Sequence, residues 1–436
     1  MPAMNKPFSA LNGRTILRFT YSQAEGSGGI EQYLDDLNKH LLIDHKLTII
    51  QFCLNQNNKV VEQKIENIGL GTLIKIAMPQ QNSNFTNNRA IPEIINTIKR
   101  LTGNAKRSFI NCILNFPIIG LWAQLLQRAL PLTKDKPCAY NYSETKKLFY
   151  KIFNSSHISL VTIHGLSIYQ IDEFLIRESI KRKIPFLIIN HFNNSIFNLL
   201  SARKIYSLAK AVAGVSSLNV PKYLWKKFYN LGDGIDTNFF KKENARKLIF
   251  PSSEPIILLP ARISAEKGHF DLLKAAFYLR KQNINCRIVS IGRCEAPEIA
   301  KKLEKFNNSR DSVDLLLIGD LSREELRDWY GECKIVVLPS KSEGLPRVLL
   351  EAQAMELPVI AYNVGGVSAV IKNNITGYLL KKGSIKELAI RIKELLIDEA
   401  KRKQMGEAGR KFVEENYRID ALVKRHVELY KKMMCD

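Results

Sequence analysis

Two glutamates eight positions apart, Glu343 and Glu351, lie in the stretch IVVLPSKSEGLPRVLLEAQAMELPVIAYNVGG, residues 335–366. A carboxylate inside so apolar a helix is costly unless hydrogen-bonded, and hydroxyls of the ribose kind are donors that would satisfy it. Upstream, Arg262 and Lys267 follow an apolar run, 256–259, and precede a helix. Two cations beside the positive end of a helix suit a diphosphate. His164 and His191 each close an apolar run, SLVTIHG and PFLIINH. In open α/β sheets, ligands gather at that end of the strands. A fourth group is the glycine loop GSGG, 26–29, between a strand and a helix. That arrangement brings backbone N–H groups close to a phosphate, although it is not the dinucleotide pattern G-x-G-x-x-G. Each group also has a plain reading as surface charge, core histidine or tight turn, and spacing alone does not separate the two.

The elements that must position these residues follow a βαβ rhythm. Residues 335–338 read as a buried parallel strand, and 339–345 as a polar turn. Pro346 suits the first helical position, where its missing N–H is harmless. The helix then runs to about 356, a second strand spans 358–362, and Gly365-Gly366 follow. A fresh sheet opens at 256–259, with further strands ending at Gly292 and Gly319. In the first half, strands are expected at 15–20, 46–53, near 72–77, at 159–165, 185–194 and 209–217, and helices at 30–42 and 171–183. The tail, 385–434, reads as helical and charged.

The chain has 436 residues, more than one core usually supports, so two domains are expected. The fold class is α/β. The first is expected to span 1–240 and the second 241–417, with the junction at the polar stretch after residue 240. Residues 79–150 interrupt the rhythm with an Asn/Gln-rich loop and a basic helical region. Phe109, Ile113, Phe116, Leu126 and Leu130 mark an apolar face there, flanked by Lys106, Arg107 and Arg128. That face fits either packing on the core or the surface of a membrane.

The net charge is +23, and residues 89–151 alone carry 11 basic against 3 acidic side chains. Such an imbalance attracts polyanions, and an anionic membrane surface is the expected partner. A specific nucleic-acid partner is not expected, because no aromatic-basic interleaving of the stacking kind occurs. Seven cysteines without a C-x-x-C pair fit reduced thiols. No signal-peptide core or membrane-spanning run is evident. The expected location is cytoplasmic, peripheral to the membrane's cytoplasmic face.

Assembled in order, these motifs resemble those of the GT-B glycosyltransferases, in particular the retaining family-4 group. The motifs are Gly28-Gly29, strand-end His191, the GDGID segment at 232–236, Arg262 with Lys267, the Glu343–Glu351 stretch and NNITGYLL at 373–380. The likeness is strongest over 209–417 and looser over 14–200. It implies two Rossmann-like, doubly wound domains facing a central cleft, 1–240 taking the acceptor and 241–417 the donor, with a C-terminal helix at 418–436 completing the first. The donor would be a nucleotide-diphosphate sugar, UDP- or GDP-linked, with no cofactor. The resemblance implies that Glu351 holds the ribose and Glu343 contacts the donor sugar. Arg262 and Lys267 would neutralise the departing diphosphate, Gly28 or Gly29 would approach it from the opposite domain, and His191 would sit over the donor sugar. Gly292, Gly319, Gly344, Leu345 and Pro346 join the donor site, and His164 is assigned to the acceptor. The expected acceptor is a glycan or a lipid-linked or lipopolysaccharide-type molecule.

Two departures stand out. The family often has Asn where Asp233 stands, and Glu two residues before a Val-Ile pair, where this chain has Ser368-Ala369 before Val370-Ile371. No Asp-x-Asp triplet occurs, so a divalent metal is not required by the reading. The rival within the same fold is a catalytically silent subunit that binds nucleotide-sugar and organises partners. Retained Arg262, Lys267, Glu343, Glu351 and His191 argue against it.

Overall fold

The computed structural model describes residues 11, 14–23, 29–45, 47–55, 62–79, 153, 158–164, 170–191, 205–215, 220–248, 254–307 and 313–435. Gly28 and, beyond Pro79, the basic segment up to residue 150 lie outside these residues. So does the expectation of an apolar face at 109–130.

The first half builds β1 (Thr15–Gln23), α1 (Gly29–Asp44), β2 (Thr48–Asn55), β3 (Glu62–Ile68), β4 (Gly71–Pro79), β5 (Leu160–His164), α2 (Gln170–Lys181), β6 (Phe186–Asn190), β7 (Ala211–Gly214) and β8 (Phe228–Asn230). They form an eight-stranded sheet in the order β3-β4-β2-β1-β5-β6-β7-β8. All pairings are parallel except β3 on β4. Strands β5, β6 and β7 are buried along their whole length, which is why they read as unbroken apolar runs. β3 was not expected. Its sequence, EQKIENI, is mostly polar, with isoleucine only at 65 and 68, at a sheet edge, and such a strand has neither an apolar run nor a period-2 alternation to mark it.

The second half builds β9 (Ile256–Pro260), α3 (His269–Arg280), β10 (Arg287–Ile291), α4 (Pro297–Asn307), β11 (Asp314–Ile318), α5 (Arg323–Glu332), β12 (Ile335–Leu338), α6 (Arg347–Ala354), β13 (Val359–Tyr362), α7 (Val367–Val370) and β14 (Gly377–Leu380). Helices α8 (Ile385–Ile397), α9 (Glu399–Asn416) and α10 (Ile419–Cys435) follow. The six strands are all parallel, in the order β11-β10-β9-β12-β13-β14. The order reverses direction at β9 and β12, and at β1 and β5 in the first sheet. Those are the points where such sheets open a crevice at their carboxyl ends. Two Rossmann-like halves thus supply two crevices.

Each half has its own core. Helix α10 leaves the second half and buries Leu422, Val427, Leu429, Tyr430 and Met433 in the core of the first. The two chain crossings are bonded to each other: Ile235 N–H donates to the Tyr417 carbonyl at 2.7 Å, and Ile419 N–H to the Ile235 carbonyl at 3.1 Å. Among the described residues no helix is long and apolar enough to cross a membrane.

A buried ion network ties the halves together. Asp36 of α1, 1% exposed, accepts from Arg347 of α6 at 2.6 Å and from Arg323 of α5 at 2.5 Å. Arg347 also pairs with Asp233 at the crossing and donates to the Gly234 carbonyl at 3.2 Å. A capping box at Ser322, reciprocal with Glu325, fixes the start of α5 and so aims Arg323. The departure at Asp233 has its reason here, because a neutral Asn would leave Arg347 with one fewer buried countercharge.

Candidate active site

The donor-side residues come together because two glycines let three loops touch. Gly268 has φ +74°, and a Cβ there would lie 1.9 Å from the Pro339 carbonyl oxygen. Only glycine allows the loop before α3 to pack on the loop after β12. That contact carries Lys267 to Glu343, with Nζ 2.7 Å from Oε1. Gly365 has φ +53°, and its Cβ would meet the Glu343 carbonyl oxygen at 1.8 Å. Its neighbour Gly366 donates its N–H to the Gly344 carbonyl at 2.8 Å. The glycine pair therefore props the Glu343–Gly344 backbone from behind.

Between the two sheets lies a cavity of about 260 Å³. Arg262, Lys267, Gly292, Glu343, Gly344, Leu345 and Pro346 line it from the second half, and His191 from the first. Pro346 caps α6 rather than occupying its first turn. Arg262 is half-exposed and pairs with Glu295 at 2.7 Å, so a ligand anion would compete with Glu295 for it. Lys267 is likewise engaged by Glu343, and a diphosphate would have to draw it away.

Three of the expected site residues, Gly319, His164 and Glu351, do not line the cavity. Gly319 is exposed beyond the cavity wall, where its neighbours Asp320 and Leu321 take part. Gly29 is the first residue of α1. His164, assigned to the acceptor, is 1% exposed and lies behind His191, its Nδ1 2.8 Å from His191 Nε2. The reason is that it ends β5 in the middle of the sheet, while β6 is followed directly by His191 at the cleft.

Glu351 is fully buried and does not line the cavity. Its Oε2 accepts from the Tyr330 hydroxyl at 3.2 Å, and its Oε1 has no partner among the described residues. Burial raises this carboxyl above the ordinary carboxylate range, against the pull of Arg347 and Arg323. A buried acceptor without a donor is a rare feature, and a ligand hydroxyl would complete it.

Tyr33 and Gln32 also line the cavity, and neither was singled out by motif; Asp233 lines it too, and the sequence marked it only as a departure from the family pattern. Arg347 was visible only as the one cation within the apolar stretch at 346–352. Its two carboxylate partners lie 311 and 114 positions away, which no local spacing reveals.

Burial, then the charges of Arg18 and Arg347, push His191 from its ordinary 6.5 down to about 3. His164 and His426 are lowered well below 6.5, also by burial first and Arg18 next. As pH falls from about 6.5, the unfolded chain takes up these protons while the folded chain does not. Stability is therefore full above about 6.5 and falls toward about 3, by about 1.4 kcal/mol per pH unit for His191 alone. Urea unfolding at pH of about 7 and about 5 checks this, and equal stabilities would contradict the burial of these rings.

Residues 240–412 match the family described as Glycosyl transferases group 1. Among curated relatives, a capsular polysaccharide biosynthesis glycosyltransferase, CapM, of Staphylococcus aureus is 31% identical over 163 residues, 36% of this chain and 40% of that protein. A GDP-mannose-dependent alpha-(1-6)-phosphatidylinositol monomannoside mannosyltransferase of Mycobacterium tuberculosis is 29% identical over 204 residues, 44% of this chain and 52% of that protein. The chain thus spans about half the length of these curated relatives. A glycosyltransferase crystal structure from Rickettsia africae superposes with a TM-score of 0.66 at 22% identity, covering 97% of this chain and 99% of that one. At that identity the likeness establishes the fold, which is GT-B.

Proposed function

We propose that this chain is a retaining glycosyltransferase. It moves a sugar from a nucleotide-diphosphate sugar to a glycan or lipid-linked acceptor without a bound metal. The observation that carries the reading is the convergence of Arg262, Lys267 and Glu343 on one cleft wall at the β9/β12 switch point, with His191 on the opposite wall. The relatives named for capsular polysaccharide and for a phosphatidylinositol mannoside support the acceptor class.

Glycosyl transfer builds negative charge on the departing diphosphate while the sugar becomes oxocarbenium-like. Cations fixed where that charge develops contribute most. Lys267 and Arg262 are so placed, beside the start of α3. Glu351 accepts a ribose hydroxyl once its partnerless Oε1, buried here behind the cavity wall, is opened to the ligand, and Glu343, released from Lys267, meets the donor sugar. With no nucleophilic carboxylate assigned, the acceptor attacks on the face the diphosphate leaves, and a diphosphate oxygen takes the acceptor's proton.

A thermal-shift screen of nucleotide-sugars tests the reading, since a donor bound at a hundred times its Kd stabilises by about 2.7 kcal/mol. One nucleotide class is expected to raise the Tm and to support transfer; indifference to all of them overturns the proposal. In Glu351→Ala, calorimetry should find nucleotide affinity reduced at least about tenfold, about 1.4 kcal/mol. Unchanged affinity would remove the ribose role.

A further inference from the structure

Behind the cleft lies a buried polar cluster that the reaction outlined above does not use. Arg18 of β1 is fully buried. Its hydrogen bonds go to neutral groups: Nη1 to the side-chain oxygens of Asn38 and Gln51, and Nη2 to the Tyr430 hydroxyl at 3.3 Å. It pairs in register with Thr162 of β5, two residues from His164. His164 stacks on His191, with ring centroids 5.1 Å apart and planes 19° apart. Tyr33 closes the edge of His191, and its hydroxyl lies 2.6 Å from His426 Nε2. His164 Nε2 is buried and has no partner among the described residues.

We propose that His164 and Arg18 are positioning residues that hold His191 in its Nδ1–H tautomer, presenting an N–H donor to the cleft. The argument is a count of protons. A neutral imidazole carries one N–H, so the 2.8 Å contact between His164 Nδ1 and His191 Nε2 holds one shared hydrogen. If His191 Nε2 donated, the proton of His164 would sit on its other ring nitrogen, Nε2. That would be a buried N–H with no acceptor, in the field of a buried guanidinium. An unsatisfied buried donor costs its full desolvation, and the Arg18 charge adds repulsion. In the reverse arrangement His164 Nδ1–H donates, and its Nε2 keeps a lone pair that the Arg18 charge favours. His191 then carries its hydrogen on Nδ1, which bonds to no described residue and belongs to the ring that lines the cavity. The three imidazoles stay neutral because burial and Arg18 both oppose their protonation.

This assignment rests on the glycosyltransferase reading for its ligand, and it narrows what His191 does. An Nδ1–H selects an oxygen acceptor on the bound sugar, such as a hydroxyl, ring or carboxylate oxygen. It also removes His191 as the base for the acceptor's proton. The tautomer of a histidine is set by the bond its other nitrogen makes, and here that bond comes from His164.

The test uses the full chain, uniformly labelled with nitrogen-15 on histidine. Long-range proton–nitrogen spectra at neutral pH, with the His191 signals identified by His191→Asn, should find Nδ1 protonated and Nε2 bare. His164→Leu is expected to switch His191 to the Nε2–H form and lower kcat on the order of tenfold, with KM for donor little changed. His164→Asn, whose amide can donate from the place of Nδ1, should restore most of it. Nε2–H in the wild-type spectrum overturns the proposal, as does a switched tautomer with unchanged kcat. If His164→Leu fails to fold, the wild-type spectrum still decides. Failure to bind or transfer from any nucleotide-sugar would defeat the functional reading instead, and leaves the tautomer measurement standing.

Discussion

Alanine in place of Lys267 is expected to lower turnover at saturating donor at least about a hundredfold, about 2.7 kcal/mol of transition-state stabilisation. The side chain is mostly buried and its Nζ is held 2.7 Å from Glu343 at the start of α3. In the proposed reaction it would meet the diphosphate from a fixed place on the cleft wall once drawn from Glu343. Charge on the diphosphate grows as the glycosidic bond breaks, so the interaction is stronger in the transition state than in the ground state. The loss should fall on kcat more than on KM. Removing the lysine also frees Glu343, which would then repel the diphosphate, and Lys267→Ala/Glu343→Gln should recover part of the affinity. Near-normal kcat in Lys267→Ala would end the assigned role.

Asp36→Ala is expected to destabilise the folded chain by about 3–5 kcal/mol. Asp36 accepts from Arg323 and Arg347, one on each of two helices of the opposite half. Its removal leaves Arg347, nearly fully buried, with Asp233 alone. An uncompensated charge inside the protein costs far more than the net worth of the pair it came from. Urea unfolding followed through the three tryptophans, Trp122 and Trp225 in the first half of the sequence and Trp329 in the second, measures the loss. A loss under about 1 kcal/mol would contradict the network's place as the bond between halves. Replacing Arg347 by Met in the same chain should return part of the stability, because two unpaired groups are then removed together.

Where the chain could be read directly, the reason is local. Strands β9, β12 and β13 are buried on both faces, so their apolar runs mark them within a residue or two of their ends. Gly268 and Gly365 lie at positive φ, and their place beside Lys267 and Glu343 is part of the pattern that made those residues legible. Strand β3 escaped because its two isoleucines stand three positions apart among polar residues and make no such run. Helix α10 was legible as a charged helix, whereas its burial of Tyr430 and Met433 in the first core depends on where α9 ends.

His164 and His191 look alike in the sequence, each a histidine closing an apolar strand. Only the packing of β5 between β1 and β6 places one of them behind the other. The same holds for Glu351, one of whose oxygens is buried with no partner among the described residues, and for Arg347, paired across the cleft. By itself the sequence determined two largely parallel sheets and placed Arg262, Lys267 and Glu343 in loops at strand ends, since burial and loop geometry leave their signature within a few neighbouring residues. The tertiary structure alone decided which histidine meets the cleft and how the halves are held together. Those depend on contacts between residues more than a hundred positions apart, or on the order in which strands lie in the sheet, and no local pattern records either.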